Sequence, residues 1–213
     1  MSKTGRLIDR SRIALAEGDI SAEQFSAFAN ASQIAWDIET TGLDWKGGRI
    51  ATCQLFSTVV AAPVIVRIQS GVPKRLVELL ESPGPQKLFH HACFDLRFMS
   101  YAWGCKAINI ACTKVASKIL LDVEKHSLDV LVGKYLGVTL AKQFATSDWT
   151  VAKLSDGQVM YAASDVIYLP ALYDALRNAL CGVGRWELAL RSFEYIPTRV
   201  ELDMQGSGDV FTY

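Results

Sequence analysis

The chain has 213 residues, half of them apolar and 21% charged, a composition that belongs to a folded globular protein and excludes a disordered one. Its 22 basic and 22 acidic residues cancel, so the basic excess of a protein that wraps long nucleic acid is missing. The length suits one well-cored domain, and no linker, repeat or low-complexity run divides it.

The first 30 residues read as a lead-in. Ile13 to Ala16 is a short strand, Gly18-Asp19 a turn, and Ser21 the N-cap of a short helix, with Gln24 completing a capping box. Strands rich in Val, Ile and Thr are predicted at 33–39, 50–57 and 59–68, broken by Gly42, Gly47 and Gly48. Helical periodicity runs from Val72 to Glu81 and stops at Ser82-Pro83-Gly84-Pro85. Lys87 to His90 reads as a further strand, leading into a helix over 92–103. Beyond residue 110 the pattern is helical, at 111–121, 127–136 and one long helix over 155–181. Ser155 caps that helix and Asp156 favours its first turn. The tail after Pro197, with Gly206-Ser207-Gly208, reads as irregular and as a candidate contact arm. Together these elements predict an α/β protein, a mixed β-sheet flanked by α-helices.

Acids sit where an acid is awkward. Asp37 and Glu39 interrupt an apolar strand, and their spacing of two puts both side chains on one face. Asp165 punctuates an apolar helix, with Tyr161 one turn before it on the same face. Asp95 falls in the first turns of the 92–103 helix, where dipole stabilisation alone would explain an acid. Carboxylates in apolar elements are costly unless neutralised, and gathered together they repel. Divalent cations answer both problems and would turn the cluster toward phosphodiester hydrolysis.

The five cysteines are odd in number and form no CxxC pair, which reads as reduced thiols rather than a disulfide frame or zinc site. No apolar run reaches the ~20 residues of a membrane span, and the N-terminus leads into no apolar signal core. The expectation is a cytoplasmic protein with no membrane partner.

The flanks of the acids carry a resemblance. WDIETTGLD (36–44), HHACFDLRFM (90–99) and YAASDVIYLPAL (161–172) resemble, in order, the three motifs of the DEDD 3′–5′ exonucleases, in the subgroup whose third motif holds a tyrosine. HSLDVLVGKYLGVTLAKQFATSDW (126–149) is similar to the ribonuclease D segment that precedes the third motif. CTKVASKIL (112–120) and FEYIPTRVELD (193–203) are similar to nanoRNase C, a compact branch of the same superfamily that acts on very short oligoribonucleotides.

The resemblance implies a ribonuclease H-like, DnaQ-like exonuclease fold in a single domain over 1–213, with its core at 33–181. It assigns metal coordination to Asp37, Glu39, Asp95 and Asp165, and positioning of the nucleophilic water to Tyr161. Substrate contacts fall to Thr40, Gly42, the wedge Leu43, His90 or His91, and Lys142. It implies two Mg²⁺ or Mn²⁺ ions, a single-stranded oligoribonucleotide substrate cut to 5′-monophosphates, and a ring-shaped homo-oligomer such as an octamer. The apolar stretch from Val59 to Val66 and the C-terminal tail are candidate contacts for it. Ribonuclease D proper carries extra helical domains for which this chain has no room, which favours short substrates. Two alternatives remain: trimming of structured RNA 3′ ends such as tRNA precursors, and a non-catalytic RNA-binding or interaction module. The second would be expected to lose one of the five residues, and the chain keeps them all.

Overall fold

The computed structural model describes residues 9–60, 62–141 and 143–212. After a 3₁₀ turn at Arg10–Arg12, strand β1 (Ala14–Glu17) leads to helix α1 (Ala22–Ala29), where Ser21 and Gln24 form the expected reciprocal capping box. β2 (Gln33–Thr40), β3 (Ile50–Phe56) and β4 (Val64–Arg67) follow, then α2 (Lys74–Glu81), β5 (Gln86–Phe89) and α3 (Ala92–Trp103). The chain continues through β6 (Ile110–Cys112), α4 (Thr113–Leu120), α5 (Leu128–Leu136), α6 (Asp156–Ile167), α7 (Leu169–Gly182), α8 (Trp186–Glu194) and α9 (Ile196–Gln205).

Among the described residues, the six strands make one mixed sheet in the order β1-β4-β3-β2-β5-β6. β3 runs antiparallel to both neighbours, while β1 pairs parallel with β4, and β5 parallel with β2 and β6. This is the predicted mixed sheet with helices on its faces. No helix among the described residues is long and apolar enough to cross a membrane.

The pleat of β2 sorts its side chains by parity. Ile34, Trp36 and Ile38 enter the main apolar core, with Leu88, Leu96 and Met99. Ala35 turns to the other face, against Val166 of α6 and Leu169 of α7. Asp37 and Glu39 follow Ala35 on that face, beneath α6. The β2–β3 register slips between Glu39 and Thr40, leaving Ala51 without a partner. This irregularity lies at the end of the strand that carries the acids, a common place for one.

Several expectations need correction. The 59–68 strand begins only at Val64: residues 57–60 form a turn closed by Val60 N–H to Ser57 O at 3.0 Å, and Pro63 lacks an N–H for the ladder. Val59 is exposed, and Ala61 lies outside the described residues. The 111–121 helix starts at Thr113, because Ile110–Cys112 pairs with β5. The 155–181 helix is two helices, since Pro170 in the first turn of α7 has no N–H for the carbonyl of Val166 and would collide with it. The tail after Pro197 is helical to Gln205: the proline sits in the first turn of α9, where its missing donor costs nothing.

Candidate active site

Three elements bring the acids together. β2 contributes Asp37 and Glu39, and α6 lays Asp165 over them. Carboxylate oxygens of Asp37, Glu39 and Asp165 lie within 4.8 Å of one another. Asp95, on α3, stands beside this group rather than within it: the Ile38 backbone N–H, between the two strand acids, donates to its Oδ1 at 3.2 Å. Asp95 is buried, while the other three are half-buried, with Asp37 and Asp165 lining a cleft.

The electrostatics follow from that crowding. Desolvation, then the charges of Asp95, Asp165 and Glu39, push the Asp37 carboxyl well above the ordinary carboxylate range. Burial and the neighbouring aspartates push Glu39 up to about 9, and burial raises Asp95 to about 8 and Asp165 to about 7. Tyr161 lies on the cleft side of α6, and its hydroxyl offsets part of the rise at Asp165. Its own phenol is pushed far up, first by burial and then by Asp165, Glu39 and Asp37. Phe144 and Trp149 hold the Tyr161 ring, at centroid distances of 6.5 and 5.9 Å.

An all-oxygen donor set that is crowded, partly desolvated and repulsive is the chemistry of a hard divalent-cation site. Among the described residues no lysine or arginine pairs with these four acids through a salt bridge within 4.0 Å. The donors therefore fit Mg²⁺ or Mn²⁺.

The cleft, about 310 Å³, is lined by Asp37, Tyr161 and Asp165, by His90 and His91, and by Leu128, Asp129, Leu140, Ala141 and Ala145. The two histidines have different lives. His90 is committed on both nitrogens, Nδ1 to Thr113 Oγ1 at 2.9 Å and Nε2 to the His126 carbonyl at 3.0 Å. His91 is exposed at the N-cap of α3, its ring stacked on Phe94 at 6.0 Å.

Leu43 is 86% exposed on the loop after β2. Thr40 Oγ1 donates to the Gly42 carbonyl at 2.6 Å, and Thr41 and Arg49 close the loop base through two 3.0 Å bonds. Lys142 lies outside the described residues.

Sequence reasoning missed Gln54, which is fully buried and donates to Asp37 Oδ2 at 3.0 Å. A glutamine inside the apolar run of β3 was the available signal. Asp129, which α5 brings to the cleft wall, was also missed.

A family model described as 3′-5′ exonuclease matches residues 16–181. Exosome complex component 10 of Mus musculus is 32% identical over 63% of this chain and 14% of its own length. Ribonuclease D of Gluconacetobacter diazotrophicus is 34% identical over 50% of this chain and 27% of its own length. The chain thus spans well under a third of these curated relatives. The solved structure of Brucella melitensis NrnC bound to pGG aligns with a TM-score of 0.87 and 32% identity, covering 94% of this chain and 98% of that one. The same protein with bound Mg²⁺ aligns at 0.86, with the same identity and coverage. On its three motifs, its fold and these matches, the chain belongs to the 3′–5′ exonuclease family, in the DEDD-type ribonuclease D superfamily together with the NrnC-type nucleases.

Proposed function

We propose that this chain is a two-metal 3′–5′ exoribonuclease that hydrolyses short single-stranded oligoribonucleotides, down to dinucleotides, to nucleoside 5′-monophosphates. The observation that carries the reading is the grouping of Asp37, Glu39 and Asp165 within 4.8 Å in a cleft that Tyr161 also lines. Short substrates are supported by the relative bound to pGG and by a net charge of zero, which offers little for neutralising a long run of phosphates.

Asp37, Glu39, Asp95 and Asp165 would hold two Mg²⁺ or Mn²⁺ ions. Bound there, the ions supply Lewis-acid activation of water and charge stabilisation at the leaving 3′-oxygen. Tyr161, on the cleft side of α6 one turn before Asp165, would orient the attacking water by hydrogen bonding. Leu43, held out in solvent by the loop that Thr40 and Gly42 brace, wedges against the terminal bases. His91, free of the contacts that occupy His90, is the histidine that meets substrate. Residues 33–181 form the core of one exonuclease domain, and the C-terminal tail after Pro197, which includes most of α9, would offer surface for a ring-shaped homo-oligomer.

Hydrolysis of a dinucleotide and of a long single strand, measured side by side with Mg²⁺ and with chelator, tests the reading. Mg²⁺-dependent cleavage of the dinucleotide at the higher kcat/KM is expected. A clear preference for the long or structured strand would move the assignment to RNA 3′-end trimming. Asp165→Asn is expected to abolish turnover and Tyr161→Phe to lower it sharply with little effect on folding. Wild-type turnover in purified Asp165→Asn would show that the site has been misassigned.

A further inference from the structure

Gln54 faces Asp37 across the β2–β3 ladder, and Thr52 faces Glu39 two residues away. Both Gln54 and Thr52 are fully buried. The Gln54 Nε2 donates to Asp37 Oδ2 at 3.0 Å, and the Thr52 hydroxyl donates to Gln54 Oε1 at 3.1 Å. Against an ionised Asp37 a flipped amide would set its carbonyl oxygen against a carboxylate, so in that state the chain Thr52–Gln54–Asp37 has one sensible direction.

The fold does not need this chain. An aliphatic side chain at position 54 would suit a buried strand better, since a buried amide costs free energy unless its hydrogen bonds are made. The chemistry of the residue matches a different requirement. An arginine or lysine there would bring its own charge to the acids and compete with a cation, and a glutamate would add a fifth repelling carboxylate. A neutral donor grips one oxygen and leaves the charge of the site unaltered.

We propose that Gln54, oriented by Thr52, is a positioning residue of the cation site. It fixes one oxygen of Asp37 and directs the rest of that carboxylate toward the space shared with Glu39 and Asp165. The inference rests on reading the acid cluster as a metal centre. Removing an outer partner of this kind typically costs about 10- to 100-fold in metal affinity or activity.

Mn²⁺ binding to the full chain without substrate, followed by calorimetric titration and by the EPR signal of free Mn²⁺, measures the effect directly. Gln54→Met, which keeps the length of the side chain and removes its donor, is expected to weaken Mn²⁺ binding roughly 10-fold. Thr52→Val should weaken it in the same direction by less, and Thr52→Ser, which keeps the hydroxyl, should restore it. The Mg²⁺ concentration for half-maximal rate should rise in parallel. If Gln54→Met fails to fold, the Thr52→Val and Thr52→Ser pair decides alone. Mn²⁺ affinity within twofold of wild type in the folded donor-loss variants would overturn the positioning role. A wild-type protein that binds no Mn²⁺ would instead remove the metal-centre reading beneath it.

Discussion

The Ile38 backbone N–H donates to Asp95 Oδ1 at 3.2 Å, so the buried acid of α3 is tied to the strand that carries Asp37 and Glu39 by a bond that needs no metal. Ile38 also points its side chain into the main core. One residue therefore anchors the sheet on one side and an active-site acid on the other. The bond separates two substitutions at position 95. Asp95→Asn keeps an acceptor and should fold, while losing turnover. Asp95→Ala strands a buried N–H, which typically costs about 1–3 kcal/mol. Urea unfolding in chelator should therefore place Asp95→Ala below Asp95→Asn by about that amount. Equal stabilities would mean that the Ile38 bond contributes nothing.

The acid cluster makes stability depend on pH in a direction opposite to that of most carboxylates. Folding raises Glu39 to about 9, Asp95 to about 8 and Asp165 to about 7, and Asp37 well above its ordinary value. Between the unfolded values near 4 and these folded ones, the native state binds more protons than the unfolded state. The associated stability is fully present below about pH 4 and is lost as pH rises through 7 to 9. In chelator, the melting temperature is expected to fall across pH 6 to 9. Saturating Mg²⁺ should flatten that fall, and its stabilising effect should grow with pH. Calorimetric melts with and without Mg²⁺ at four pH values would show this; a chelated protein that grows more stable toward pH 9 would contradict it.

His90 and His91 are adjacent in sequence and should part in experiment. The His90 Nε2 must carry a proton to donate to the His126 carbonyl, which leaves Nδ1 to accept from Thr113. Burial lowers His90 to about 4, so it is neutral at pH 7. That contribution is present above the unfolded value near 6.5 and is lost as pH falls toward 4. His90→Ala leaves a cavity and an unpaired His126 carbonyl, while the Thr113 hydroxyl can still donate to the Phe89 carbonyl, and should cost about 2–3 kcal/mol, roughly 5–10 °C in melting temperature for a chain of this size. His91→Ala should melt close to wild type and raise KM for the dinucleotide. A melting loss in His91→Ala equal to that of His90→Ala would refute the distinction.

What the sequence revealed and what it hid divide along range of interaction. The same-face placement of Asp37 and Glu39 follows from the period of a strand, and that of Tyr161 and Asp165 from the period of a helix, so both pairs were legible. The short buried run Ile110–Cys112 was not, because three apolar residues leading into a helix have no periodicity of their own. Pro170 and Pro197 mark the starts of α7 and α9, yet a proline at a start and a proline that stops a helix look alike until the flanking contacts are known. Gln54 was readable as an oddity in β3, but only the register with β2 shows that it faces Asp37. His90 needed Thr113 and His126, 23 and 36 residues away, to become a structural residue.

Gly157 sets helix propensity against packing. It lies in the first turn of α6, one turn before Tyr161, and an added Cβ would overlap the Phe144 ring, 2.7 Å from Cε2. Propensity alone favours Ala over Gly by about 1 kcal/mol in a helix interior and less near an end. Overpacking a close contact costs about 1–3 kcal/mol, so the steric effect wins. Gly157→Ala is expected to melt a few degrees lower than wild type. Because Phe144 packs on Tyr161, its displacement should also lower kcat more than it raises KM. A Phe144→Leu background removes the ring that meets the new methyl. There the same Gly157→Ala change should be neutral or stabilising, since propensity then acts almost unopposed. Paired melting curves in the two backgrounds decide the matter. A Gly157→Ala protein that melts above wild type with unchanged kcat would mean that Phe144 yields freely and does not brace the tyrosine.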